Sequence, residues 1–275
     1  MTFNLSFATI TMATGLFYSQ VGRQALTRDV KALAARLGPS VTSPAPTGRA
    51  FGTAARAATR VLAFGDFVEL PWANGKGSSY EILSDRRDGV WTYRVALAPV
   101  EESGDWSTLP GVDRSLVVVQ GAGFDLAVDD GGVRAALPCA YGDVVHLRGD
   151  ATTTCVLREG AAVDLGVMTY RDCGYRTLVT WHAVAPAEAT PFEEGLAATG
   201  APSIDLPPAD VIFAAAPGAR LRKDGATRVL GTHGALVLGA DDREAWALKE
   251  GAVTCIRIDT DAEDTNWDGN TWNDA

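Results

Sequence analysis

The chain has 275 residues, 47% of them hydrophobic, with 29 glycines, 13 prolines and a formal net charge of −10. That is enough apolar residue to bury one large or two small cores, so disorder is excluded as the main state. The acidic balance repels phosphate backbones and removes nucleic acid as an expected partner.

The charge is uneven. Residues 1–60 hold seven Lys or Arg (Arg23, Arg28, Lys31, Arg36, Arg49, Arg56, Arg60) against one acid, Asp29, so this segment is +6 and the remainder −16. The stretch Met1 to Gly22 has no charge; it lacks the basic start of a secretory signal and is too polar for a membrane span. Leu26, Val30, Leu33 and Leu37 then recur at helical spacing before Gly38-Pro39, which predicts one short amphipathic helix. A Pro, Ser, Thr and Gly-rich loop follows to about Thr53. Residues 1–60 therefore read as a short helical or disordered basic extension, with an over-long gene start as the alternative.

From Val61 the pattern changes to short apolar runs separated by turns. Strands are expected at Tyr80–Leu83, Trp91–Ala98, Arg114–Gln120, Gly123–Val128, Asp143–Leu147, Thr153–Leu157 and Ala162–Thr169, and then at Arg176–Val184, Val211–Ala215, Thr227–Leu230, Ala235–Leu238 and Val253–Ile258. So many short strands predict an all-β sandwich, jelly roll or barrel, two stacked barrels among the options. Gly65-Asp66, Asp88-Gly89, Gly142-Asp143, Gly149-Asp150 and Asp224-Gly225 are the candidate hairpin turns. The acidic residues 261–275 read as a loose tail.

Cys139, Cys155, Cys173 and Cys255 have no C-x-x-C spacing. They are expected as buried free thiols in a reducing cytoplasm rather than disulfides or metal ligands. His146, His182 and His233 are scattered, with no His-x-His or His-Glu-x-x-His motif, so a metal centre is not expected. No Gly-x-Ser-x-Gly elbow marks a nucleophile.

Within Trp91–Ala98, alternation puts Trp91, Tyr93, Val95 and Leu97 on one face and Thr92, Arg94, Ala96 and Ala98 on the other. Small residues around Arg94 leave room for a carboxylate, which a planar guanidinium grips with two parallel bonds; a solvent-facing Arg or structural ion pair competes evenly. Asp113 and Arg114 read as a turn-stabilising pair ahead of a ligand contact. Asp164, between apolar neighbours, is a hydrogen-bonded structural acid or a pocket residue. Gly75 and Gly77 around Lys76 make a generic turn rather than a phosphate loop. Glu81 and Asp164 also allow a paired-carboxylate reading.

The blocks Trp72-Ala73-Asn74-Gly75-Lys76-Gly77-Ser78-Ser79-Tyr80-Glu81, Trp91-Thr92-Tyr93-Arg94, Trp106-Ser107-Thr108-Leu109-Pro110-Gly111-Val112-Asp113-Arg114 and Asp164-Leu165-Gly166-Val167-Met168 resemble, in order, the signature of the HutD/Ves family, bicupin proteins associated with histidine utilisation. The likeness spans roughly Val61 to Asp259. This chain departs from it at Ala73, Lys76, Ser79, Tyr93, Trp106, Leu109 and Gly166, where the family has a basic residue, glycine, threonine, tryptophan, two phenylalanines and asparagine.

The resemblance implies a bicupin, two stacked cupin-like barrels over residues 61–172 and 173–260. It implies no cofactor and no metal ligands. It further implies a small carboxylate ligand of the formylglutamate or urocanate type, bound by Trp72, Asn74, Glu81, Arg94, Ser107, Arg114, Asp164 and Met168, and a role in limiting pathway flux. A metal-independent isomerase or hydrolase with Glu81 or Asp164 as base is the alternative. A homodimer through strand edges is expected by analogy.

Overall fold

The computed structural model describes residues 58–72, 75–87, 89–185 and 203–260. The expected helix near Leu26–Leu37, the loop after it, Asn74 and the 261–275 tail lie outside the described residues.

Every expected strand is present, usually longer than the sequence indicated. In chain order the strands are β1 (Arg60–Leu62), β2 (Val68–Pro71), β3 (Ser78–Arg87), β4 (Val90–Val100), β5 (Gly104–Asp105), β6 (Val112–Gln120), β7 (Phe124–Asp130), β8 (Val133–Cys139), β9 (Val144–Arg148), β10 (Thr152–Leu157) and β11 (Ala162–Tyr170). They continue with β12 (Tyr175–Val184), β13 (Ile204–Asp205), β14 (Val211–Lys223), β15 (Ala226–Gly231), β16 (Ala235–Val237) and β17 (Ala247–Thr260). The strands not anticipated, β1, β2, β5, β8 and β13, are short or carry little alternation. β8 is an edge strand with Val133 to Ala136 exposed, so it lacks the buried face that alternation reports.

These strands form three sheets: a six-stranded sheet in the order β2-β3-β4-β11-β6-β9, a four-stranded sheet β5-β10-β7-β8, and a seven-stranded sheet with the path β1-β16-β14-β17-β12, to which β13 and β15 add at β17 and β14. The first two come from residues 68–170 and the third from 175–260, except for β1. Arg60–Leu62 pairs with Ala235–Val237, so the first described strand joins the later sheet.

The six-stranded sheet is covered on both faces. Tyr93, Val95, Leu97, Val117, Leu165 and Val167 pack in one cluster with Val179, Val211, Phe213 and Ile256 of the seven-stranded sheet. On its other face, Leu116, Val118 and Ala162 pack with Phe124, Leu126, Cys139 and Cys155 of the four-stranded sheet. A third cluster, including Ile212, Leu221, Leu236, Trp246 and Leu248, belongs to the seven-stranded sheet and its loops. All four cysteines are buried and none forms a disulfide, in keeping with small hydrophobic residues.

Turn chemistry follows the sequence in places. Asp224 (φ 48°) and Gly225 (φ 78°) both have positive φ, as a type I′ hairpin requires, and join β14 to β15. Gly65-Asp66 instead lies in a 3-10 turn, Phe64–Asp66, where Asp66 accepts a bond from the Ala63 N–H at 2.8 Å. Gly251 marks a close crossing: a Cβ there would lie 2.1 Å from the Gly218 carbonyl oxygen. Among the described residues no helix is long and apolar enough to cross a membrane.

His233 is buried with φ 59° and ring contacts to Phe213 and Phe64, and its Nε2 has no hydrogen-bond partner. Burial pushes its pKa down from 6.5 to about 4. Between those values the unfolded chain holds the extra proton, so this group makes stability fall as pH falls, by on the order of 3 kcal/mol across the window. His233→Asn, which tolerates the same backbone, is expected to lose less stability than wild type between about pH 7 and about pH 4.5 in urea unfolding. Equal losses would overturn the assignment.

Candidate functional site

Strand register brings the sequence blocks together. Met168 in β11 pairs with Arg94 of β4 on one side and Arg114 of β6 on the other. Partners directly across a sheet share a face, so both guanidinium stems and Met168 rise from the same side, the stems two strand spacings, roughly 10 Å, apart. The next partners along this face are Ala96, Gly166 and Leu116, and the next Ala98, Asp164 and Val118. Leu116 and Val118 place the face in the apolar cluster shared with the four-stranded sheet. The alternation inferred for Trp91–Ala98 holds, but both faces are covered, and Arg94 points into the sandwich rather than to solvent.

Arg94 is tied to β3. Its Nη2 donates to Ser79 Oγ at 2.5 Å, and its Nε lies 3.2 Å from Glu81 Oε2, close enough to pair charges but off line for a hydrogen bond. Glu81 also accepts from Ser84 Oγ at 2.7 Å and meets Arg86 Nη2 at 3.4 Å. A bulge between Glu81 and Leu83 shifts the alternation by one, which lets Ser84 reach Glu81. Burial pulls the Arg94 pKa below its ordinary value, Glu81 raises it, and Arg86 lowers it further.

Arg114 is 6% exposed. Its Nη2 donates to the Ser107 main-chain carbonyl, and its Nε makes no hydrogen bond. Burial again lowers its pKa, with Asp164 opposing. The expected Asp113–Arg114 turn pair is not formed. Successive strand residues face opposite ways, so Arg114 turns inward while Asp113 pairs with Arg171 at 2.8 Å. Ser107 contributes its carbonyl to Arg114.

Asp164 is 4% exposed, and its pKa is raised by burial to about 7, with the Arg114 charge only partly offsetting this. Near neutral pH the carboxyl is therefore partly protonated. With Arg94, Arg114 and Arg86 against Glu81 and part of Asp164, the site carries surplus positive charge, and Ala96, Ala98 and Gly166 line it with little bulk. A Cβ at Gly166 would meet only ordinary contacts at 3.5–3.7 Å, with Met168, Ala96 and Asp164.

Trp72 borders the turn that precedes β3. Its N–H donates to the Gly77 carbonyl at 2.8 Å, and the Gly75 N–H donates to the Trp72 carbonyl at 2.9 Å. Gly75 has φ 70°, whereas Gly77 is needed because a Cβ there would lie 2.9 Å from the Trp72 ring.

Sequence reasoning missed Ser79, Ser84 and Arg86. Ser79 is two residues before Glu81, so strand alternation would have found it; the bulge that brings in Ser84 has no sequence signal. Two surface clefts of about 410 and 510 Å³ are lined instead by residues around Asp205–Ala209 and Ala240–Trp246. Among the described residues no group of three or more His, Cys, Asp or Glu is arranged to hold a metal ion.

These features define an all-β protein whose first-half sandwich holds two inward-facing guanidiniums. The HutD family profile matches residues 65–255, and the chain belongs to the HutD family. It is 35% identical over 118 residues to an uncharacterised 21.2 kDa protein in the hutC 3′ region of Pseudomonas putida, an alignment covering 42% of this chain and 60% of that relative. Two solved structures, each 25% identical, are similar across 74% of this chain: a conserved protein of unknown function from Pseudomonas aeruginosa PAO1 (TM-score 0.57, 100% of that chain) and HutD from Pseudomonas fluorescens SBW25 (TM-score 0.54, 99% of that chain).

Glu81→Gln is expected to leave the Arg94 charge without its ionic partner and to cost about 3 kcal/mol, read as a lower urea midpoint at unchanged slope. A change within error would mean that the pair is solvated. Asp164, with its pKa raised above the ordinary 3.8 to about 7, makes stability fall as pH rises through that window, because the folded state holds the extra proton. Relative to wild type, Asp164→Asn should therefore gain stability from about pH 4 to about pH 7; a parallel profile would contradict it.

Proposed function

We propose that this protein binds a small carboxylate metabolite inside the first-half sandwich, with Arg94 and Arg114 as the anion-holding groups. The observation that carries this reading is their placement on either side of Met168, inward-facing, beside a floor of Ala96 and Gly166. Two guanidiniums, Arg114 buried and Arg94 half-buried, whose buried Nε groups lack hydrogen bonds are poised to gain from a carboxylate, since a charge-assisted bond in a low-dielectric interior is worth more than one in water. Glu81 and Ser79 orient Arg94, and Trp72 forms an apolar wall at the mouth.

Family membership and the hutC-region relative support a place in histidine utilisation. On this reading the ligand is of the formylglutamate or urocanate type and binding limits flux through the pathway. The protein is cytoplasmic, in keeping with four buried cysteines outside any disulfide, works without cofactor or metal, and forms a homodimer through strand edges.

A second reading has one observation in its favour. Asp164, raised to about 7, has the proton affinity of a general base at neutral pH, as a metal-independent isomerase or hydrolase would use. Turnover of a candidate acid that is abolished by Asp164→Asn with binding intact would select it.

Calorimetric titration with formylglutamate, urocanate and related acids tests the binding reading. At least one acid should bind, and Arg94→Ala should weaken it by roughly 10- to 100-fold, as for loss of a buried charge-assisted contact. No binding by any of them, or undiminished binding by Arg94→Ala, would remove it.

A further inference from the structure

We infer that Arg171, acting with Asp150 and Asp113, is a positioning residue for the Arg114 half of the anion site. The inference rests on the carboxylate-binding reading above. Ser107 lies on the segment that crosses from the four-stranded sheet to β6. One end is held where the Trp106 N–H donates to the Thr153 carbonyl at 2.9 Å. The other end is the turn Leu109-Pro110-Gly111-Val112, closed by the Val112 N–H on the Leu109 carbonyl at 3.2 Å, with Gly111 at φ 76°. Proline followed by a positive-φ glycine is the pattern of a type II turn.

Arg171 fastens that turn. It immediately follows β11, and its N–H donates to the Gly111 carbonyl at 3.0 Å. Its Nη1 donates to Asp113 Oδ1 at 2.8 Å and to the Val112 carbonyl at 3.3 Å, and its Nη2 pairs with Asp150. Asp150 in turn accepts the Gly111 N–H at 3.1 Å. Gly149 seals the contact from below: its N–H donates to the Val112 carbonyl at 2.7 Å, and a Cβ there would lie 2.5 Å from the Leu109 oxygen. One guanidinium thus joins the end of β11, the start of β6 and the β9–β10 turn. Beginning four residues after Ser107, that junction sets where the Ser107 carbonyl stands. Because this carbonyl is the group bonded to Arg114 Nη2, Arg171 sets the aim of Arg114 without touching a ligand.

The test uses the full chain and two readouts. In Arg171→Met, the affinity for formylglutamate by calorimetry should fall about tenfold, the scale of one misdirected charge-assisted bond, and Arg171→Lys should recover part of it. Independently of any ligand, hydrogen exchange of the Leu109 and Gly111 amides should quicken in Arg171→Met while the Val95 and Leu165 amides keep their wild-type rates. Unchanged exchange at Leu109 and Gly111, or an equal rise at Val95 and Leu165, would overturn the inference, the second result marking general destabilisation. Faster exchange with unchanged affinity would also overturn it. If wild type binds no acid, the binding reading falls, and the exchange pattern alone decides whether Arg171 fastens the turn.

Discussion

Burying positive charge inside a β-sandwich is the constraint to which the rest of the first half answers. A guanidinium removed from water loses hydration that only close oxygens can replace. Arg94 finds them in Ser79 and Glu81 of β3, and Arg114 in the Ser107 carbonyl. Neither set satisfies every donor, since both Nε groups lack hydrogen bonds.

The small residues are the complement of the large cations. Ala96, Ala98 and Gly166 flank the guanidinium stems on β4 and β11, leaving little side-chain bulk beside them. The opposite face of the same strands carries Tyr93, Val95, Leu97, Leu165 and Val167, packed against the later sheet. The six-stranded sheet is therefore packed on both faces, and its strands hold these polar groups at fixed spacing without relying on loops. Asp164 sits deepest, and its raised pKa follows from burial that Arg114 only partly offsets.

Much of this was legible in the chain. Period-two alternation placed Arg94, Ala96 and Ala98 together, and the turn glycines and short apolar runs indicated all-β structure. The blocks around Trp72, Arg114 and Asp164 carried the family likeness. Other features left no trace: the bulge after Glu81 that turns Ser84 toward it, the pairing of Asp113 with Arg171 across 58 positions of chain, and the return of Arg60–Leu62 to the last sheet. Each depends on contacts between residues distant in sequence, and local pattern has no access to these.

The sequence by itself determined the all-β character, the face that Arg94 shares with Ala96 and Ala98, and the sparse, scattered histidines, because these follow from spacing along the chain. Only the tertiary structure decided that Arg94 and Arg114 flank the same methionine, that the Ser107 carbonyl rather than Asp113 is the partner of Arg114, and that the sheet is covered on both faces. The physical reason is that register and sheet packing are set by the sum of side-chain burial over many strands. No single segment contains that sum.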